Sequence, residues 1–560
     1  MPKYTDAPNA RSVSPSTLTD HLLTQRGLTD PAVKQQFLAP NYDTGRHDPF
    51  LMPGMTPAVE RVTKAINDGE HIAIYADYDC DGIPGAVLLH DFFTAIEHPK
   101  LTVHIPHRHY DGFGLNVAAV KKLAATGVTL MITVDCGTAD VTATKAAKEA
   151  GVDVIVTDHH EPKGQLPDAV AIVNPKVGDT YPFPDLCGAG VAFKLVEALL
   201  KDGTFNLKPG QEKWWLDMVG LATISDMVPL VDENRLFAYY GLTVLQKSRR
   251  PGLQHLLRTT RTDQRRLSED DIGFTIGPRI NAASRMDNPE DAFTLLSTTD
   301  EAEAGARARH LEQLNNERKG VVAAMSKELK GRVEALAELP PVLVFGKPEW
   351  RPALVGLAAN SLAGTYGRPA FIWGRDGNGV IKGSCRSEGE TSVLALMEAV
   401  AESFLEHGGH HFSGGFSVKD DTIFYLPERL SEAFVSLNGT RAPVPSLVID
   451  AYLSLDDVTD SLMAALKPLA PFGVGNEKPL LAFTDVTPER VEQFGKTKEH
   501  LKLTFATMNG PREAIAFFST PEQYSNPPAA GVSGTLIAHL EESYFMNRRQ
   551  LRLRLVDYLA

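Results

Sequence analysis

His71-Ile72-Ala73-Ile74-Tyr75, followed one residue later by Asp77-Tyr78-Asp79-Cys80-Asp81-Gly82, decides how the rest of the chain is read. A short apolar run with no charge inside it is what a strand buried on both faces looks like, as in a parallel sheet. Working outward, apolar runs alternate with helical patterns. Helix Gly85–Ile96, strand Leu101–Ile105, helix Val117–Thr126, strand Thr129–Val134 and helix Asp140–Ala150 follow, then strands Val152–Thr157 and Ala169–Val173. That alternation predicts βαβ units and an α/β domain with a mainly parallel sheet. Ligands of such sheets bind beyond the carboxyl ends of the strands. Asp77, Asp79 and Asp81 leave the first strand there, Asp135 leaves the third, and Asp158-His159-His160 leaves the fourth. Asp226, in Ser225-Asp226-Met227-Val228-Pro229, follows an apolar helix and is placed on the same rim.

A single Asp at a strand end is most simply a cap for the next helix. A whole set on successive strand ends is not explained that way. Carboxylates crowded together raise one another's pKa and oppose folding unless a cation joins them. Oxygen-rich ligands with one or two imidazoles suit Mn2+ or Mg2+ better than Zn2+. Shared carboxylates point to two such ions, an arrangement used for phosphoryl displacement. An EF-hand loop is excluded by the preceding strand and by Ile83-Pro84.

The remainder of the chain has to be divided before this rim can be given a context. The chain has 560 residues, 43% hydrophobic and 22% charged, as expected for several globular domains. A net charge of -14 argues against a surface coated with basic groups for duplex DNA, though not against a local basic channel. Four scattered Cys (Cys80, Cys136, Cys187, Cys385) exclude a disulfide framework, and no apolar run is long enough for a membrane span. A reducing cytoplasm is therefore expected. Residues 1–48 read as a polar opening segment with one helix, Ser16–Arg26, and 49–300 as the rim-bearing domain. Residues 301–340 read as one long amphipathic helix, of ~58 Å at full length, or as two nearly continuous ones broken near Gly320, with a stop at Pro340-Pro341. A second α/β domain is expected over 341–440, its last helix running Val393–His407. Short alternating strands over 441–560 predict a small β-barrel. There Arg552 and Arg554 alternate on one strand beside Arg548, Arg549, Tyr544 and Phe545, a pattern that suits a single-strand track.

Asp158-His159-His160, taken with the Asp77–Gly82 run, Asp135-Cys136-Gly137 and Asp226, resembles the signature of the DHH phosphoesterase superfamily. Gly277-Pro278-Arg279-Ile280-Asn281-Ala282-Ala283-Ser284-Arg285-Met286, Gly383-Ser384-Cys385-Arg386-Ser387, Gly408-Gly409-His410 and the run Pro471–Pro479 resemble, within it, the bacterial RecJ family of single-strand exonucleases. The likeness extends over nearly the whole chain. It implies a DHH catalytic domain, a long connecting helix, a DHHA1-type domain and a C-terminal OB-fold. It implies a 5′-3′ exonuclease on single-stranded DNA, releasing mononucleotides in repair and recombination and using two Mn2+ or Mg2+ ions. Asp79 and Asp135 are implied to hold one ion, with Asp77 close to it. Asp81, Asp135, His159 and Asp226 are implied to hold the other, with His160 beside them. Arg279, Asn281 and Arg285 are implied to face the substrate backbone, and Gly409 and His410 to meet a phosphate, His410 and Arg279 joining Asp135 and His160 in catalysis. Ser384, Arg386 and Arg108 are implied to grip a terminal 5′-phosphate, and Phe113 to stack on the terminal base. The partners implied are single-stranded DNA, a helicase and a single-strand binding protein; no membrane contact is expected, and the chain is expected to be monomeric. The same residues leave open a phosphodiesterase of short oligonucleotides or cyclic dinucleotides, and a non-catalytic replication scaffold.

Overall fold

The computed structural model describes every residue except 1–2, 8–9, 163, 204, 389–390, 439–445, 525, 546–547 and 560. The chain divides into two compact units, one of residues 42–443 and one of residues 1–41 with 444–560. The expected boundary at 440/441 lies outside the described residues.

In the larger unit the first sheet has five parallel strands in the spatial order Leu101–His104, Ile72–Ala76, Leu130–Val134, Asp153–Thr157, Ala171–Val173. Ile72–Ala76 and Leu130–Val134 are buried along their whole length, as their uninterrupted apolar runs require. The chain goes outward from Ile72–Ala76 to one neighbour and then returns to the other. The crevice between the loops that leave Ile72–Ala76 and Leu130–Val134 is therefore the topological switch point, where such sheets open a binding cleft. Helices Asp232–Leu245, Pro251–Thr260 and Gly277–Met286, to which the sequence pattern assigns no element, complete the domain.

The long helix runs unbroken from Glu301 to Glu334, with the Asp300 side chain capping the Glu303 N–H. No break occurs at Gly320, because that residue faces open space and no packing competes with the helix. The helix also ends before Pro340-Pro341, at Ala335. Ala308, Leu311 and Leu314 pack its first half into the main apolar core of this unit. Met325, Leu329 and Val333 carry the same core to helix Pro352–Tyr366.

The second sheet has the order Leu343–Gly346, Ala370–Arg375, Ile381–Arg386, Ser413–Val418, Glu406–Gly409, and only its first pair is parallel. The helix expected to reach His407 stops at Ala399. Residues 406–409 instead form a hairpin strand against 413–418, because the glycine-rich Gly408-Gly409 and Gly414-Gly415 favour a tight ladder over a helix. Gly409 has φ +144°, and a Cβ there would lie 2.3 Å from the Ser413 carbonyl oxygen. This turn therefore demands glycine.

The smaller unit is a seven-stranded sheet built from residues 451–559 with helix Asp460–Leu466. Strand Pro488–Phe494, which the sequence pattern misses, is its edge. The opening segment is part of this unit. Lys3–Asp6 pairs in parallel with Ser446–Ile449, and Leu18, Leu22 and Leu23 of helix Pro15–Gln25 enter its apolar core.

Candidate metal centre and phosphate-binding face

The switch-point crevice collects the strand-end acids. One oxygen each from Asp77, Asp79 and Asp135 lie within 4.8 Å of one another, as do ligand atoms of Asp81, His159 and Asp226, and of Asp135, His159 and His160. Asp135 and His159 are thus shared between the groups. His159 Nε2 is 3.2 Å from Asp135 Oδ1, 3.7 Å from Asp81 Oδ2 and 3.8 Å from Asp226 Oδ2.

Local backbone geometry aims these groups. Asp135 has φ +60°, a left-handed conformation that an ordinary L-residue rarely adopts and that Asp tolerates better than most. It turns the carboxylate back over the strand end. Gly188 leaves the space it needs, since a Cβ there would be 2.5 Å from Asp135 Cβ. Asp81 is held by the amino end of helix Gly188–Asp202, where the N–H groups of Gly188 and Ala189 donate to its two oxygens at 2.6 and 2.7 Å. A helix amino end suits a negative charge. Asp79 Oδ1 accepts the N–H groups of Asp81 and Gly82 and so shapes its own loop. Asn281 is placed behind that loop, accepting the Cys80 N–H at 3.0 Å.

The electrostatics are those of a site that lacks a positive charge. Burial, followed by the charges of neighbouring carboxylates, pushes Asp77, Asp135 and Asp226 well above the ordinary range, and Asp81 up to about 7. Both causes disfavour the charged form of a carboxyl. Among the described residues no Lys or Arg forms an ion pair with any of these acids. Asp77 Oδ1 and Asp135 Oδ1 are buried without a hydrogen-bond donor. Such orphaned acceptors are costly. A donor set of carboxylate oxygens with one imidazole is the kind that Mn2+ or Mg2+ accepts, so the residues present fit divalent cations.

The two histidines differ. Burial and the neighbouring His160 pull His159 down to about 3, which leaves a neutral ring with a free lone pair toward the acids. For His160, burial opposes the charge, but Asp158 overcomes it. Asp158 Oδ1 accepts from His160 Nδ1 at 2.8 Å, and the ring is held above its usual value. A neighbouring carboxylate commonly moves a histidine in this direction. Phe113, largely exposed, stands edge-on to the His160 ring at 5.3 Å.

Basic groups line the adjoining face. Arg108 sits over the Tyr78 ring at 4.8 Å. Arg285 Nη1 donates to the Ala353 carbonyl at 2.6 Å, linking helix Gly277–Met286 to the start of helix Pro352–Tyr366. Burial, with Arg108, Arg318 and Arg386 nearby, pulls the Arg285 guanidinium down to about 9. Ser384 and Arg386 lie under the first turns of helix Pro352–Tyr366, where a Cβ on Gly356 would be 3.2 Å from both side chains. His410 is exposed in the turn after Gly409. Arg279 is not turned to the acids. Its Nε donates to Glu312 of the long helix at 2.6 Å and its Nη1 to the Thr275 carbonyl. In the smaller unit, Arg552 and Arg554 pair with Glu541, and Arg549 pairs with Glu542 and Asp460. The side chains of Phe545 and Arg548 lie outside the described residues.

Sequence reasoning misses the Gly188 and Ala189 amides, for which the small-residue run Cys187-Gly188-Ala189-Gly190 opening a helix is the available signal. It also misses Arg318, whose charge contributes to the basic face, and Lys176, whose charge reaches Asp226.

Comparison with known proteins agrees over the whole chain. Residues 71–223 match the family described as DHH family, N-terminal domain, residues 339–438 match the DHHA1 domain, and residues 449–557 match the RecJ OB domain. The chain is 34% identical over 543 residues to the single-stranded-DNA-specific exonuclease RecJ of Bacillus subtilis (strain 168), covering 96% of this chain and 67% of that protein. It is 32% identical over 522 residues to the Escherichia coli (strain K12) RecJ, covering 90% of this chain and 89% of that one. The crystal structure of RecJ in complex with Mn2+ from Thermus thermophilus superposes with a TM-score of 0.81 at 25% identity, over 98% of this chain and 79% of that chain. With its acidic switch point, its second sheet and its C-terminal OB domain in this order, the chain belongs to the RecJ family of the DHH superfamily.

Proposed function

We propose that this protein is a metal-dependent exonuclease that removes mononucleotides from the 5′ end of single-stranded DNA, in repair and recombination. The observation that carries the reading is the pair of orphaned buried oxygens on Asp77 and Asp135, set among Asp79, Asp81, Asp226 and a neutral His159. Two divalent cations held there supply Lewis acidity toward a phosphodiester and a water activated for in-line attack. Asp135 lies between the two ligand groups and sets their spacing. The Gly188 and Ala189 amides keep both Asp81 oxygens in place, so no side chain has to reorganise as charge develops. His160, oriented by Asp158 through its Nδ1, donates toward a scissile phosphate oxygen. Arg108, Ser384 and Arg386 receive the terminal 5′-phosphate, which is what sets polarity. Phe113 offers its exposed face to the first base. Arg285 and Asn281 orient the backbone between these points. Arg279, braced by Glu312, acts by fixing helix Gly277–Met286, and His410 approaches a phosphate from the Gly409 turn.

The test is digestion of an end-labelled single strand, with and without a 5′-phosphate, with Mn2+ titrated against Mg2+. Stepwise loss of a 5′ label as mononucleotide, faster with the phosphate present, is expected. Internal nicking or loss from the 3′ end overturns the reading.

A further inference from the structure

Four of the five acids at the switch point leave strand ends of one sheet, so the sheet itself spaces them. Asp226 does not. It ends helix Leu216–Ser225, outside the sheet, and its place against Asp81 has to come from packing. The hairpin that carries it is stiff. Helix Leu216–Ser225 crosses helix Asp232–Leu245 with the backbones in contact, and a Cβ on Gly220 would lie 2.5 Å from the Gly241 Cα. Such a pair moves as one body, because close-packed interiors deform little. What has to be explained is how that body is registered on helix Gly188–Asp202, whose first amides hold Asp81.

Asn234 makes this registration. It is fully buried. Its Nδ2 donates to the Asp185 carbonyl at 2.5 Å and to the Pro229 carbonyl at 3.0 Å. Asp185 stands three residues before Gly188, and Pro229 three residues after Asp226. One amide therefore joins the approach to the Asp81 grip with the exit from Asp226. Asn234 Oδ1 is buried without a donor, a costly arrangement that keeps the NH2 group turned to both carbonyls. The neighbouring Glu233 fastens the same two bodies. Its Oε1 accepts from Lys194 Nζ, on helix Gly188–Asp202, at 2.9 Å, and neither side chain is exposed. Neither Glu233 nor Asn234 belongs to the groups of ligand atoms gathered in the crevice, so both act through other residues.

We propose that Asn234, seconded by the Glu233–Lys194 pair, is the positioning residue of one of the two cation sites: it sets Asp226 against Asp81 and His159, and leaves the group of Asp77, Asp79 and Asp135 to the sheet. The assignment rests on the two-ion reading of the proposed function. Groups that hold ligands in place commonly govern metal affinity.

Mn2+ binding to the full-length protein is followed by electron paramagnetic resonance of the free ion, for the parent, Asn234→Leu and Asn476→Leu. Leu has the same branching as Asn without the donor. Asn476 is the control, a buried amide of the smaller unit whose Nδ2 likewise donates to two carbonyls, those of Leu469 and Pro471, at 2.8 Å each. In Asn234→Leu one ion is expected to bind roughly 10- to 100-fold more weakly and the other as in the parent. Asn476→Leu is expected to lower the melting temperature and to bind both ions as the parent does. In an Asp226→Asn background Asn234→Leu is expected to weaken nothing further, because effects exerted through one shared ligand do not add. Glu233→Gln, a milder variant that retains an oxygen for Lys194, is expected to weaken the same ion by a smaller factor, and it carries the test if Asn234→Leu does not fold. Unchanged binding in the variant that carries the test, equal weakening of both ions, an additive loss with Asp226→Asn, or the same weakening in Asn476→Leu overturns the proposal. A parent protein that takes up fewer than two Mn2+ ions overturns the two-ion reading itself, so the two failures are distinct.

Discussion

Among the described residues, two places in the larger unit gather two or more aspartates around a histidine within ligand distance, and they have little else in common. At the switch point, Asp77, Asp79, Asp81, Asp135 and Asp226 crowd His159 with no Lys or Arg ion-paired to them among the described residues, and two oxygens lack donors. At the start of the long helix, Asp287 and Asp291 approach His310 at 3.7 and 3.2 Å, but Arg307 already pairs with Asp291, and the Asp287 side chain is 58% exposed. The second cluster is solved by a guanidinium and by water. The first is solved by neither. The comparison teaches that crowding of acids is not what identifies a cation site. What identifies it is burial combined with the absence of a protein counter-charge.

The sharpest way to break that contrast is Asp135→Asn. Cleavage is expected to fall by at least about 10³-fold, while thermal unfolding in chelator shifts upward by about 1–3 °C because a repelling charge is gone. A fall in both would mean that the carboxylate is structural. Gly188→Ala keeps every ligand but pushes a methyl into Asp135. A displacement of an ångström at a reacting centre costs on the order of 100-fold, so kcat is expected to drop by about that factor with the circular dichroism spectrum unchanged.

Protons should distinguish the two sites as well. A carboxyl whose folded value lies above its unfolded value of about 4 keeps a proton that the unfolded chain has released. Native stability then falls as pH rises across that window, here up to about 7 for Asp81. Metal-free protein is therefore expected to melt progressively lower from about pH 5 to about pH 7, and the gain in melting temperature from added Mn2+ to grow over the same range. A flat metal-free profile measured by calorimetry would contradict the crowding. The smallest effect belongs to the second cluster. Asp291→Asn with His310→Gln is expected to leave cleavage rate and Mn2+ dependence within about twofold of the parent, while stability falls by about 1–3 kcal/mol because Asp291 is buried against Arg307.

Much of the site was legible because its acids sit at strand ends, and strand ends follow from runs such as Ile72–Ala76 and Leu130–Val134. The parts that were not legible depend on groups with no side-chain signature. The grip on Asp81 comes from two backbone amides 107 and 108 residues away. The π-helical turn Ile272–Ile276, which leads into the helix of Arg279 and Arg285, leaves no pattern that a helical period would detect. Gly320 reads as a break when its neighbours are unknown and as harmless once it is seen to face open space. Arg552 and Arg554 read as a basic track until Glu541, from the neighbouring strand, is placed beside them.

The pairing of Lys3–Asp6 with Ser446–Ile449, and the hydrogen bond from the Tyr4 hydroxyl to Asp557 across 553 positions, have a consequence for biogenesis. A ribosome makes Leu18, Leu22 and Leu23 long before their apolar neighbours in residues 451–558 exist. Until those residues are made this helix has no docking place, and loop closure of that length is slow. Its apolar face therefore becomes covered only after the strands of residues 451–558 have been added, which makes this unit the product of a late, long-range closure.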